Sequence, residues 1–379
     1  MNKEILKWAR LTSNLTVEEA AQKASVKEAQ ILAWEEGEDI PTYPQLEKLA
    51  YKVYNRPIAV FFFQKPPEED VESSFRTLTE NTIEDIPRNI KKILRVYKAF
   101  QLNLEELNHG TNPLLKNIRS LIPLKYGYSI TSLSQEIRNI LGINIDTQIS
   151  WKSADDALQN WRDVIEKNGI YIFKDAFKED DFSGFCLYDE EFPIIVLNNS
   201  SAKHRQIFTI FHELAHILFA TSGIDRLSDD YLKFLKDENR KIEIYCNRLA
   251  ADFLVPEAYF NELISGREIN EKIISSLSSS FHVSKDVIAR KLLIKNKITQ
   301  SQYLTFSKKW NKEYLDSKDV KKRKKGGNHY NTKIQYLGKN YTIQVFRELY
   351  RGNISTNQAA EYLNAKINHI PQLETLVLK

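Results

Sequence analysis

The chain has little that would place it in a membrane or in a disulfide-rich secreted class. It contains no apolar run of transmembrane length, and Met1–Trp8 lacks the apolar region of a signal peptide. There are only two cysteines, Cys186 and Cys246, and both have apolar neighbours, which predicts small core residues. Glycine is also scarce, at 12 of 379 residues, which indicates genome composition rather than a function. These absences predict a cytoplasmic protein with no membrane partner.

The length and the charge distribution indicate more than one domain. A chain of 379 residues is expected to form two or three domains, and a hydrophobic content of 42% is enough for ordinary cores. The net charge of +4 is unevenly placed: residues 1–63 hold eight Lys/Arg against nine Asp/Glu, whereas residues 266–340 hold 18 against six. The basic charge therefore lies in the C-terminal part.

The most informative motif is His-Glu-Leu-Ala-His at residues 212–216. On a helix, positions i and i+4 share one face, so His212 and His216 can reach one metal ion. Glu213 points away from that face, so it can accept a proton from a water that the metal activates. The alternative is a core helix that carries two histidines by accident, which the total of seven histidines makes an unlikely coincidence. The apolar flanks predict a buried helix, in which such polar groups require partners.

Glu243, 27 residues after the motif, is the predicted third protein ligand. Residues 242–256 have the pattern of a second buried helix that ends at a proline. Asn247 lies one turn after Glu243 and could hydrogen-bond to one of the histidines. Two histidines, a glutamate and an open water position form the pattern of a catalytic zinc site. The alternative for Glu243 is an exposed first-turn acid favoured by the helix dipole, and the substitute ligands would then be Asp252 or Glu257.

Two further features bear on substrate binding. Residues 193–198 form a β-branched run that predicts a strand before the metal helix. It could be a central core strand or the sheet edge beside the metal, where an extended peptide could pair. A donor that stabilises the oxyanion of the transition state is also expected near the metal. The candidates are Tyr231, Tyr245 and His204.

Three stretches, at residues 184–199, 204–216 and 243–256, together resemble the ImmA/IrrE family of bacterial metallopeptidases. The helical Glu-x-x-x-Asn/Asp motif of that family matches Glu243 and Asn247. Phe211 and Cys246 stand where smaller residues are common, but neither change removes a ligand.

This resemblance implies a gluzincin-like core with one Zn²⁺ ion. His212, His216 and Glu243 would bind the ion, and Glu213 would act as the base. The resemblance also implies a protein substrate, often an XRE-type repressor or an antitoxin, that is cut in a stress or mobile-element response.

Residues 1–64 predict five short helices and resemble the XRE helix-turn-helix domain. The predicted third helix spans residues 26–36, with Ile31, Leu32 and Trp34 facing inward. In the XRE fold, this helix enters the major groove of DNA.

The charges of the predicted third helix do not decide whether this domain binds DNA or a protein. Its third helix offers Lys27 and Gln30 as DNA contacts but ends in Glu35 and Glu36, and non-specific DNA affinity depends on several cationic contacts. The alternative is a docking or dimerisation module on which a repressor binds.

After residue 256 the spacing of the apolar residues predicts amphipathic helices, with Ser284 and Ser355 as N-caps. A basic run followed by two glycines predicts a solvated surface loop or, alternatively, a contact with DNA. The basic residues are Lys321, Lys322, Arg323, Lys324 and Lys325.

The sequence thus predicts an α+β fold that is mostly helical, with a small sheet in the peptidase core. The predicted domains are residues 1–64 (XRE-like), 65–150 (helical connector), 151–266 (peptidase core) and 267–379 (basic helical region).

The predicted function is that of a zinc-dependent endopeptidase. The alternatives are a DNA-binding regulator or a toxin–antitoxin interaction protein whose metal site is structural or sensory. Glu213 favours the enzyme, because a structural site makes no use of an acid between its ligands.

Overall fold

The computed structural model describes residues 3–13, 15–54, 56, 58–62, 65–66, 86–112, 114–115, 118, 120–124, 127–226, 237–321 and 328–377. The described residues form two compact units: those up to residue 66 with 86–94, and those from residue 95 onward. The fold is mostly helical with one small sheet, so the predicted α+β class is confirmed.

The first unit is a bundle of short helices. They are α1 (Lys3–Thr12), α2 (Val17–Ala24), α3 (Glu28–Glu36) and α4 (Tyr43–Lys48), followed by a π-helix at Leu49–Tyr54 and a 3₁₀ helix at Ile58–Phe62. The Thr16 side chain accepts a hydrogen bond from the Glu19 amide, and the Glu19 carboxylate accepts one from the Thr16 amide. This reciprocal pair satisfies two amides that would otherwise lack a partner at the start of α2.

The structure changes two assignments within α3. Ile31 and Trp34 are buried as predicted, but Leu32 is 42% exposed, because a residue next to Ile31 is rotated by about 100° around the helix. Glu35 is buried and accepts two hydrogen bonds from Arg10 of α1, at 2.7 and 2.8 Å. Glu35 is therefore part of the packing of the first unit and does not lie on its exposed face.

The second unit combines a four-stranded sheet with many helices. α5 (Arg88–Leu107) begins in the first unit and ends in the second. Before the sheet lie α6 (Ile130–Leu141), α7 (Ile145–Ser150) and α8 (Ala154–Lys167). The strands are β1 (Tyr171–Asp175), β2 (Phe182–Leu187), β3 (Ile194–Asn198) and β4 (Gly223–Arg226), and α9 (Lys203–Leu218) lies between β3 and β4 in the chain.

The remaining helices follow the sheet. They are α10 (Asp237–Leu254), α11 (Glu257–Ile264), α12 (Glu271–Phe281), α13 (Lys285–Ile294), α14 (Gln300–Lys321), α15 (His329–Leu337), α16 (Lys339–Tyr350), α17 (Thr356–Tyr362) and α18 (Ile370–Val377), with a 3₁₀ helix at Ile367–His369. Ser284 and Ser355 are N-caps, as predicted. None of the described helices is long and apolar enough to span a membrane.

The strand order is β1-β3-β2-β4, so β3 lies inside the sheet. It pairs in parallel with β1 and antiparallel with β2, and all five of its residues are buried. The alternative that residues 193–198 form the sheet edge is therefore wrong. Among the described strands, the one that ends the sheet beside α9 is β4, which pairs with β2.

Helices α9 and α10 pack against each other in the centre of the second unit. Phe211 of α9 stacks on Phe253 of α10, with 4.2 Å between the ring centroids. It also meets Trp161 of α8 edge-on, with 4.8 Å between the centroids. Cys186 and Cys246 are free and fully buried, as predicted, and burial raises the pKa of both thiols well above their ordinary value. The thiols therefore stay protonated and act as small core groups.

Candidate metal centre

Helix α9 brings the two histidines of the motif together on one face. His212 and His216 are one turn apart, and their Nε2 atoms are 3.2 Å from each other. Both side chains are buried inside the second unit. The helical spacing alone is enough to produce this pair.

Helix α10 supplies the third member of the group. The Glu243 carboxylate lies 3.4 Å from His212 Nε2 and 3.3 Å from His216 Nε2. The donor atoms of these three residues all lie within 4.8 Å of one another, as the ligands of a single ion require. Glu243 is 4% exposed, so the alternative of an exposed first-turn acid is wrong.

The two substitute ligands lie elsewhere. Asp252 Oδ1 lies 3.4 Å from Lys291 Nζ of α13. Glu257 pairs with Lys295, which directly follows α13. Both carboxylates are therefore neutralised by lysines and are not part of the His–His–Glu group.

Each histidine ring is also held at its other nitrogen. Asn247 Oδ1 lies 3.2 Å from His212 Nδ1, the contact that the sequence predicted for this asparagine. The Thr221 hydroxyl donates to the His216 carbonyl at 3.0 Å and lies 3.4 Å from His216 Nδ1. Because an oxygen faces each Nδ1, the proton is favoured there and each Nε2 is left as a metal donor. Thr221 was not predicted, since nothing in its local sequence indicates this contact.

A close approach of strand and helix shapes the wall beside His216. A Cβ atom added to Gly223 of β4 would come within 2.7 Å of the His216 ring. Glycine thus lets β4 lie directly against the imidazole. Sequence reasoning missed this residue, because the approach depends on where β4 sits in the sheet.

Glu213 is fully buried, and no nitrogen or oxygen donor among the described residues hydrogen-bonds to its carboxylate. The buried Cys186 thiol is a weak donor to it. Burial raises its pKa, while His212 and His216 act in the opposite direction. A buried carboxylate without a partner is costly, and such groups usually mark a site where another molecule is bound. Glu213, which has no nitrogen or oxygen donor and lies beside three converging ligand atoms, therefore fits a metal ion with a water on it.

The charges of the group are strongly coupled. Burial alone would lower the pKa of His212, but the carboxylates of Asp225, Glu243 and Glu213 outweigh it and raise this pKa to about 9. Burial opposes ionisation of Glu243 as well, yet His216 and His212 hold its pKa far below the ordinary range. A cation placed between them would replace the His212 proton, so metal binding should release a proton.

Asp225 of β4 is a further buried acid near the histidines that was not predicted. Its carboxylate accepts hydrogen bonds from Arg205 at 2.6 Å and from Thr209 at 2.8 Å, both on α9. These contacts bind the edge strand to the helix that carries the motif. The sequence has no signal for them, because they join residues 16 and 20 positions apart through the packing of two elements.

The predicted oxyanion donors fall in different places. The Tyr245 hydroxyl donates to the Tyr128 carbonyl at 3.3 Å, and its ring packs on Phe219 at 5.2 Å. His204 lies two turns before His212 on α9, and burial together with His282 lowers its pKa. Tyr231 lies outside the described residues.

The predicted DNA contacts are not gathered on one helix. Lys27 is exposed and Gln30 is half-buried, at the start of α3. Lys321 is the last residue of α14, and residues 322–325 lie outside the described residues.

Comparison with known families agrees with this geometry. Residues 165–293 match the Peptidase_M78 family model, described as an IrrE N-terminal-like domain, and residues 6–59 match a helix-turn-helix model. The resemblance to ImmA/IrrE peptidases with a helix-turn-helix domain in front is thereby confirmed. The first match indicates a peptidase of a family that is generally metal-dependent, and the second is of a class that commonly binds DNA. No curated protein sequence matches the chain.

Proposed function

We propose that this protein is a zinc-dependent endopeptidase that cuts a partner protein. The observation that carries this proposal is the fully buried Glu213 carboxylate, which has no nitrogen or oxygen donor and lies next to the His–His–Glu group. A structural metal site has no use for such an acid, whereas a hydrolase needs a base at this point.

His212, His216 and Glu243 would hold the ion, and two imidazoles with one carboxylate are a donor set that suits zinc. When bound, zinc supplies a Lewis acid that polarises the scissile carbonyl and makes a water acidic near neutral pH. Glu213 would accept the proton of the attacking water and pass it to the leaving amine. Asn247 and Thr221 would keep the two rings in the tautomer that directs Nε2 to the ion.

We propose that the substrate segment binds in an extended conformation along β4. This strand ends the described sheet, and its Gly223 lies against the His216 ring. A strand at the end of a sheet can add a peptide through main-chain hydrogen bonds.

The resemblance to the family supports an XRE-type repressor or an antitoxin as the substrate, in a stress or mobile-element response. In this proposal residues 151–266 form the peptidase core, with residues 65–150 as a connector and residues 267–379 as a basic accessory region. The helix-turn-helix match favours a second candidate, a DNA-binding regulator with a structural or sensory metal.

The experiment compares the wild-type chain with Glu213→Gln on an XRE-type repressor encoded beside the gene. Purified zinc-loaded protein should cut the repressor into defined fragments. Glu213→Gln should keep its zinc but cut at least about 100-fold more slowly, because glutamine cannot accept the proton.

The matched control is Glu262→Gln, since Glu262 is an exposed glutamate on α11 that is not in the metal group. It should cut at the wild-type rate. If Glu213→Gln also cuts at that rate, Glu213 is not the base. If the zinc-loaded wild-type chain leaves the repressor intact, the regulator becomes the better candidate.

A further inference from the structure

An apolar cavity of about 350 Å³ lies in the second unit, between the first half of α9, the second half of α10, and α13. Its apolar wall consists of Phe208, Ile244, Ala251, Val287 and Ile294. Four cations also line it, Arg205, Arg248, Arg290 and Lys291, and three of them pair with aspartates. Ile244 is 37% exposed and Ile294 is 78% exposed. These side chains line open space, so the packing of the core does not account for them.

The cavity reaches the His–His–Glu group through Asn247, since His212, His216 and Glu243 do not line it themselves. Asn247 lines it, and the same asparagine faces His212 Nδ1 at 3.2 Å. Phe208 also lines it and lies one turn before His212, with 6.5 Å between the two ring centroids. A helix rises about 1.5 Å per residue, so Phe208 and His204 lie about 6 and 12 Å before His212 along the axis of α9. The cavity covers this distance.

A second cavity of about 760 Å³, whose lining residues are mainly serines and charged residues, continues from the first. The two share His204, Arg205, Ser284 and Asp286 as lining residues. The cleft therefore leads from a part with large apolar side chains to a part lined mainly by serines and charged residues beyond the start of α9. A cleft of this length can hold several residues of an extended polypeptide.

We propose that the apolar cavity is a specificity pocket for a large aliphatic or aromatic side chain of the polypeptide substrate. This inference rests on the proposed peptidase function and adds a sequence preference to it. An extended chain advances about 3.3 Å per residue, so the selected side chain lies about two to four residues from the cleaved bond. Val287 and Phe208 form the contact surface, since both are half-buried and face the cavity.

The first test measures cleavage preferences. The zinc-loaded chain is incubated with a mixture of peptides of random sequence, and the products are sequenced by mass spectrometry. Leucine, isoleucine, valine or phenylalanine should be enriched at one position within about four residues of the cut. Val287→Trp, which fills the pocket, should reduce that enrichment roughly tenfold or more in favour of small residues.

Leu304→Trp is the matched control. Leu304 is a 48% exposed residue of α14 that does not line the cavity. It should leave the preference unchanged. Cleavage that depends on Glu213 but shows no apolar preference, or the same preference in Val287→Trp, would overturn the pocket and leave the proposed function intact.

The second test does not require activity. Random decapeptides displayed on phage are selected on Glu213→Gln, and again on Glu213→Gln combined with Val287→Trp or with Val287→Ala. Enrichment of large apolar residues that is lost with Val287→Trp and retained with Val287→Ala supports the pocket, even if the wild-type chain cuts nothing and the peptidase proposal fails. Equal selection on all three proteins overturns it.

Discussion

At the scale of single residues, the His–His–Glu group (His212, His216 and Glu243) depends on a few buried polar atoms. The Glu243 carboxylate contacts both His212 and His216, and the contacts with Asn247 and Thr221 fix the two rings. The group is therefore prepared to bind a cation with little rearrangement, which is the usual way in which a protein achieves high metal affinity.

The first prediction concerns metal content. Purified protein should contain about one zinc per chain, because three side chains and a water complete one tetrahedral site. His212→Ala and His216→Ala should each lose most of it, as measured by elemental analysis after dialysis. His204→Ala, on the same helix but outside the group, should retain it. Full zinc content in the double variant His212→Ala/His216→Ala would show that the ligands are wrongly assigned.

The second prediction concerns a buried lysine of β1. Lys174 is 3% exposed, and burial, with Arg162 and Lys203 nearby, lowers its pKa to about 7. Below pH 7 both folded and unfolded chains carry the proton, so folding bears the full cost of the buried charge. Above pH 7 only the unfolded chain keeps the proton, and stability rises with pH until the ordinary lysine pKa.

Lys174→Met should therefore be more stable than wild type at pH 7, by on the order of 3 kcal/mol. The difference should shrink by roughly 1 kcal/mol per pH unit between pH 7 and 9, as measured by urea unfolding. The exposed Lys167→Met is the control and should show neither effect. An advantage of Lys174→Met that does not change with pH would mean that Lys174 is not buried in its charged form.

At the scale of elements, the site depends on the packing of β4 against α9. Gly223 allows the close approach, and Asp225 binds Arg205 and Thr209 of the helix. The two elements are connected by a short segment that includes Thr221, which also contacts His216. The edge strand and the metal helix therefore form one structural unit.

The third prediction tests this packing. Gly223→Ala adds a methyl group about where the His216 ring lies, so the ring has to move. Zinc affinity should fall roughly 10- to 100-fold, as measured by competition with a chelating dye. Thr221→Ser keeps the hydroxyl next to His216 and should bind zinc as the wild type does. If Gly223→Ala binds zinc normally while its circular dichroism is unchanged, β4 does not position the ring.

At the scale of the whole molecule, the helix-turn-helix unit and the basic charge lie in different parts of the chain. Residues 1–63 carry one more acidic than basic residue, and α3 itself contains no lysine or arginine. Residues 266–340 carry 12 more basic than acidic residues. Since clustered cations release counterions from DNA, sequence-independent binding should depend on the C-terminal part.

The fourth prediction compares these two parts in the full-length chain. Replacing Lys321, Lys322, Arg323, Lys324 and Lys325 by glutamine should weaken binding to random duplex DNA. It should also flatten the salt dependence, by up to about 0.9 in logarithmic slope per lost contact. Lys27→Ala combined with Gln30→Ala should change little. The opposite pattern, measured by fluorescence anisotropy over a range of salt concentrations, would identify α3 as a working DNA reader.

The sequence by itself determined the features that depend on helical spacing and local hydrogen bonds. Because i and i+4 share a helix face, His212 and His216 had to be neighbours once α9 formed. The capping pair of Thr16 and Glu19 also depends on local spacing, since its partners are three residues apart. The apolar flanks of the motif also predicted burial correctly.

Only the tertiary structure decided which elements meet. Whether β3 is an edge or a central strand depends on its pairing with β1 and β2, which periodicity within the strand does not express. Thr221, Gly223 and Asp225 reach α9 through the position of β4 in the sheet, so no spacing rule predicts them. Local sequence determines which face an element presents, whereas the packing of the whole chain determines what that face contacts.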